Sequence, residues 1–459
     1  MRDDSRTAIF CALVALGGCG DGGDADPGPK GDAAGPLVFR DCGKGQCAEL
    51  TVPLDSRAPE AGTVSIAINR IRANRSPHRG VLFVNPGGPG LPGKDFVEAN
   101  ADALRSLLPG FDLIGFDPRG TGDSQGIHCE AGLDLAGAYL HGKTQAVLDT
   151  LEGASKRCAE SQRPLFDHLG TNRVVDDIEL VRQALGSEEL NFLGISYGTR
   201  LAVEYARKYP ERARAVVLDA AVPPSGDFIE LVEGQFEALL EMHQKFFEAC
   251  SEGVFDCPPE PQRVFDEYVA GLEPAQAAGF IRAWQSLLTT AFGPAILAEA
   301  LRSGFTGPSV DGMPGMLPGA DIDALVNLAI HCTDSTRAPF TPAEAEAEMA
   351  YFEAQSPTFA SLGLLSLSCV VLPVARDPIA TGAFTPRIAP LIIGGTADIL
   401  TPYAWAEESA LALRGASLLT SEHFGHSAMS FGSRCVFDEV RDFLIDPKPL
   451  PAGATCPSP

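Results

Sequence analysis

At 459 residues the chain is long for one ordinary domain, so one large core carrying an insertion, or two domains, is expected. Its composition, 45% hydrophobic and 21% charged, is that of a globular protein rather than a disordered one. A formal net charge of −25 argues against nucleic-acid binding and against a basic patch for anionic membranes, because both need clustered Lys and Arg.

The chain opens with a short apolar run, Ala8 to Gly18, too short to span a membrane and the right size for the hydrophobic part of a signal. It ends in Leu16-Gly17-Gly18-Cys19, which resembles a bacterial lipobox, so residues 1–18 read as a lipoprotein-type signal peptide and Cys19 as a lipid anchor. The leading MRDDSR offsets two Arg with two Asp, which keeps plain secretion with cleavage nearby open as an alternative. Residues 19–36 are rich in Gly and Asp and read as a flexible tether. Of the 12 cysteines, Cys11 and Cys19 fall in this leader and an even number remains, without C-x-x-C pairs or zinc-like His spacing. In an exported protein that pattern points to disulfides. Proximity suggests Cys42–Cys47, Cys129–Cys158, Cys250–Cys257, Cys332–Cys369 and Cys435–Cys456, although spacing does not fix the connectivity.

From Cys47 to Arg72 the residues alternate in polarity and predict antiparallel strands. Gly80 to Asn85 is a continuous apolar run closed by Pro86-Gly87-Gly88-Pro89-Gly90, a buried strand ending in a tight turn. Phe111 to Asp117 is a second such strand, Val174 to Leu185 has helical periodicity, and Asn191 to Gly194 is a third strand. Thr199 to Tyr209 reads as a helix stopped by Pro210, and Ala215 to Asp219 as another buried strand. The alternation then breaks, and Ser225 to about Thr385 offers helices and loops. Strands resume at Pro390 to Gly394 and, more weakly, at Ala416 to Thr420. This predicts an α/β fold: a mostly parallel sheet with helices on both faces, split into core segments at 37–224 and 386–459 by a mainly helical cap at 225–385.

Chemistry concentrates at the strand ends. Gly194-Ile195-Ser196-Tyr197-Gly198 follows an apolar strand and opens a helix, the setting of a nucleophile elbow, which makes Ser196 the candidate nucleophile of an α/β-hydrolase fold. A serine hydroxyl needs a base, and that base an orienting acid, in the chain order Ser, Asp, His. Asp398, past the strand PLIIG, and His426, past ASLLT, fit; Asp219 is the rival acid and His423 the rival base. The oxyanion needs two donors, expected from the N–H of Tyr197 and, in the glycine loop, of Gly88. Arg119, in Asp117-Pro118-Arg119-Gly120, reads as a brace that pairs with carboxylates. Glu230, Glu233, Glu237 and Glu241 share one helical face, read as solvated opposite buried Phe228, Val232, Phe236 and Leu239.

Taken together, NPGGPG, GFDPRGTGDS with Cys129, TNRVVDDIELVRQALG, LNFLGISYGTRLAVEYARKYP, VVLDAAVPP, the Cys250…Cys257-Pro258 pair and AIHCTD resemble the secreted tripeptidyl-aminopeptidase and prolyl-iminopeptidase-like serine hydrolases. The likeness runs from about Cys42 onward. It implies an exported enzyme that releases residues or short peptides from free N-termini through Ser196, Asp398 and His426, with Gly88 and Tyr197 as oxyanion donors and no cofactor or metal. Two departures stand out: Pro86 where such enzymes often begin the glycine loop with His, and Leu372-Pro373 where a Trp-Pro pair is usual. A carboxylesterase or lipase-like enzyme on the same fold is the alternative. The expected partner is a peptide or small ester substrate, with membrane attachment only through Cys19.

Overall fold

The computed structural model describes residues 37–129, 133–305 and 323–458. The signal peptide, tether and Cys19 anchor expected from the sequence lie outside those residues.

Strands β1 (Arg40–Cys42), β2 (Gly45–Pro53) and β3 (Thr63–Ile71) form the predicted antiparallel ribbon. They are followed by β4 (Val81–Asn85), α1 (Gly93–Ala99), α2 (Ala101–Leu107) and β5 (Asp112–Phe116). Next come α3 (Leu135–Gln162), α4 (Thr171–Ala184), β6 (Leu190–Ile195), α5 (Tyr197–Lys208) and β7 (Ala213–Asp219). Among the described residues the stretch from β7 to the next strand holds α6 (Phe228–Ser251), α7 (Pro261–Ala270), α8 (Pro274–Leu288), α9 (Gly293–Arg302), α10 (Ala324–Asp334), α11 (Pro342–Gln355) and α12 (Ser368–Val371). The sheet then resumes with β8 (Leu391–Ala397), α13 (Tyr403–Ala412), β9 (Ser417–Phe424), α14 (Ala428–Phe431), α15 (Arg434–Ile445) and β10 (Ala454–Cys456).

Among the described residues the strands join one sheet in the order β1-β2-β3-β5-β4-β6-β7-β8-β9-β10, parallel from β5 onward. Strand residues point alternately to opposite faces. On β4, Val81 and Phe83 join one apolar cluster, and Leu82 and Val84 join the other. The first cluster is closed by α3, α4, α5 and the helical insertion, the second by α1, α2 and α15. With both faces covered, β4 and β6 are buried along their whole length, which explains why their sequences run apolar without alternation.

The ten remaining cysteines pair as proximity suggested, with Cα–Cα separations of 5.1–5.7 Å. Three elements differ from expectation. Helix α3, which the sequence did not signal, is bent at Gly142–Lys143, where Lys143 takes φ +57°. Strand β9 runs to Phe424, well past Thr420. The short β10 was unforeseen; Cys435–Cys456 ties it to α15 while it pairs with β9.

Candidate active site

Ser196 stands between β6 and α5 at φ +57°, ψ −128°, a strained position for a residue with a side chain. It is partly exposed while its neighbours are buried. The turn tolerates nothing larger than hydrogen on either side. A Cβ on Gly194 would lie 2.3 Å from the Gly198 carbonyl oxygen, and one on Gly198 would lie 2.5 Å from that of Asn85.

The glycine loop after β4 lies directly against this elbow. Gly87 has φ +94°, and a Cβ there would meet the Ile195 carbonyl oxygen at 2.6 Å and the Tyr197 nitrogen at 2.9 Å. Its own N–H donates to Asn85 Oδ1 at 3.0 Å, so the donor this pair of glycines can offer a substrate is that of Gly88, at φ +109° and partly exposed. The Tyr197 N–H begins α5, where the helix N-terminus favours negative charge. Pro86, which replaces the usual histidine, is buried.

Asp398 and His426 meet across the loops that leave β8 and β9. His426 Nδ1 lies 2.8 Å from Asp398 Oδ2 and 3.1 Å from Oδ1. A carboxylate only accepts, so the bridging proton resides on Nδ1 and Nε2 is left as the basic nitrogen. Asp398 is held by Leu400 N (2.9 Å) and Thr401 N (3.0 Å) on Oδ1 and by Thr401 Oγ1 (2.7 Å) on Oδ2. Burial works against charging His426, but the Asp398 carboxylate, with Asp219 beyond it, carries its pKa above the ordinary histidine value. Burial likewise opposes the Asp398 charge, and His426 with the Thr401 donors carries that carboxyl below its usual range.

The rival residues have other work. Asp219 accepts from Ser427 Oγ (2.5 Å), Ala428 N (2.9 Å) and Met429 N (2.9 Å), while its carbonyl takes the Ser196 N–H at 2.9 Å. One buried residue thereby joins the Ser196 turn to the loop of His426. His423 is buried, with Nδ1 2.9 Å from Ser421 Oγ and its ring against Gly395. The sequence did not single out Asn85 or Thr401; the spacing Asp398-x-x-Thr401 around a backbone turn is the only local signal for the second.

Arg119 is buried and bidentate to Asp177, Nε to Oδ2 at 2.8 Å and Nη2 to Oδ1 at 2.6 Å, and it also reaches the carbonyls of Pro53, Leu54 and His168. That is the expected brace. Helix α6 buries Phe228, Val232, Phe236 and Leu239 as anticipated, but its glutamates diverge. Glu241 pairs with Lys245 at the surface, Glu237 accepts from Tyr351 Oη at 2.7 Å, and Glu233 is raised by burial and lies near Arg337, Asp227 and Glu348. Leu372 is buried in the core.

Residues 80–255 match the α/β-hydrolase fold family and residues 356–456 match the TAP-like protein family. The chain is 27% identical to serine protease Hip1 of Mycobacterium tuberculosis, over 89% of this chain and 87% of that protein. It is 27% identical to tripeptidyl aminopeptidase of Streptomyces lividans, over 90% and 83%. Carboxylesterase B of Mycobacterium tuberculosis is 28% identical, over 90% and 86%.

Proposed function

We propose that this chain, whose residues 80–255 match the α/β-hydrolase fold family and residues 356–456 the TAP-like family, is a serine hydrolase of peptidase type, an exported aminopeptidase working through Ser196, His426 and Asp398. The observation that carries the residue assignment is the Asp398–His426 pair, which fixes the imidazole tautomer with Nε2 basic. Ser196 Oγ attacks the scissile carbonyl while His426 Nε2 takes its proton. The oxyanion forms against the N–H groups of Gly88 and Tyr197. The C–N bond then breaks as His426 protonates the leaving amine, leaving an acyl-enzyme on Ser196. Water, deprotonated by His426, releases the N-terminal fragment as its carboxylate.

The aminopeptidase reading is supported by the tripeptidyl aminopeptidase and serine protease relatives. Export is supported by the apolar run ending at Cys19 and by five disulfides, which persist in oxidising compartments. Ester hydrolysis is the second reading, favoured by the carboxylesterase relative of similar identity. Comparing a chromogenic tripeptide substrate bearing a free amine with its N-acetylated twin separates them. An aminopeptidase cleaves the first and spares the second; equal rates refute the proposal.

A further inference from the structure

Helix α10 presents three polar residues, Asn327, His331 and Asp334, at spacings of four and three, hence on one face. They sit among buried Leu325, Val326, Leu328, Ala329 and Ile330, so their presence on a core helix calls for partners. Asn327 and Asp334 find hydrogen-bond partners and His331 packs by its ring, and these contacts converge on the two segments that carry the oxyanion donors. Asn327 Nδ2 donates to the Pro89 carbonyl at 2.8 Å, holding the Pro89–Gly90 peptide of the glycine loop. The His331 ring meets the Tyr197 ring edge-on, with centroids 6.3 Å apart, and stacks on Phe228 at 4.6 Å. Burial, and then Arg200, pushes its pKa down to about 3, so it packs as a neutral ring. Asp334, fully buried, accepts from Thr171 N at 2.8 Å and from Thr171 Oγ1 at 2.6 Å. The Thr171 hydroxyl also meets the Tyr197 hydroxyl at 2.5 Å, so a single side chain links Asp334 to Tyr197.

We propose that α10 is a clamp on the oxyanion hole: Asn327 sets the glycine loop and Asp334, through Thr171, sets Tyr197, so that their backbone N–H groups converge on the developing oxyanion. These are positioning residues, and none needs to touch substrate. The clamp itself is anchored at both ends. Asp323 caps its first turn and also accepts the Cys129 N–H at 2.6 Å, while Cys332–Cys369 ties its last turn to α12. Donors aimed at an oxyanion act only on the transition state, so misaiming them lowers kcat and leaves ground-state binding alone. A polar residue kept merely to satisfy the core would instead alter stability and leave turnover per folded molecule unchanged.

This inference rests on the serine-hydrolase reading of the site, and the experiment separates the two. Asn327→Leu, Thr171→Val, Thr171→Ser and Ser196→Ala are prepared as the mature chain, and kcat, KM and the inhibition constant of phenylboronic acid, which forms a tetrahedral adduct, are measured. Asn327→Leu and Thr171→Val are expected to lower kcat by about 10- to 100-fold, with KM within about twofold and boronate affinity falling in step with kcat. Thr171→Ser keeps the hydroxyl and restores turnover. Asn327 is partly exposed, so Asn327→Leu carries the test even if Thr171→Val fails to fold. Wild-type kcat in folded Asn327→Leu, or equal loss in Thr171→Ser and Thr171→Val, overturns the clamp. Undiminished hydrolysis by Ser196→Ala would instead overturn the reading of the site itself.

Discussion

Replacing Asp398 by asparagine changes one atom, and the surroundings dictate how it sits. Oδ1 accepts from two backbone N–H groups, Leu400 and Thr401. The amide oxygen must keep that place, because an NH2 group there would face two donors. The new NH2 then occupies the Oδ2 position, 2.8 Å from His426 Nδ1 and 2.7 Å from Thr401 Oγ1. Facing a donor, Nδ1 becomes the acceptor and the ring proton moves to Nε2, the atom that must receive the serine proton. The variant thus retains its shape and holds the wrong tautomer. Such a change lowers kcat by about 10⁴-fold, or about 5.5 kcal/mol of transition-state stabilisation. Steady-state kinetics on a chromogenic substrate, with thermal unfolding to verify folding, reads the effect. A loss smaller than about tenfold would remove Asp398 from the triad, since a passive neighbour contributes no more than an ordinary hydrogen bond.

Three other outcomes follow from the same geometry. Because the carboxylates raise the His426 pKa, the acid limb of kcat/KM has its midpoint above the free-histidine value of about 6.5; activity is full above that midpoint and falls as pH drops through it. In Asp398→Asn the limb shifts downward, and a limb that stays put in pH–rate profiles would argue against the pair. Gly87→Ala forces a side chain into φ +94° and into the Ile195 carbonyl, so a folded variant is expected to lose about 100-fold in kcat, read against thermal midpoint and KM. Arg119→Met leaves Asp177 buried and unpaired and should cost about 3–5 kcal/mol in denaturant unfolding, with turnover per folded molecule retained.

The parallel core was legible because buried strands such as Val81–Asn85 and Leu190–Ile195 must be apolar throughout, and the elbow because only glycine fits at 194 and 198. Helix α3 escaped notice because its buried positions include Thr144, Ser155 and Cys158 and its periodicity breaks at Gly142–Lys143. Strand β10 has three residues and exists through its pairing with β9 and its disulfide, neither of which is a local property. The same limit applied at the site. Asp219 ends one strand and Asp398 directly follows another, and only the fold shows the first spending its oxygens on Ser427, Ala428 and Met429 while the second faces His426. The polar face of α10 acquires partners only through Pro89 and Thr171, which are distant in sequence.

The central claim is that Ser196 is the nucleophile of a covalent mechanism. Intact-mass spectrometry of the protein after treatment with a fluorophosphonate tests it most directly. A single adduct that maps to the peptide containing Ser196, forms together with loss of activity, and is absent in Ser196→Ala is the predicted result. Labelling of the Ser196→Ala variant at the wild-type rate, or full activity in the labelled protein, would contradict it.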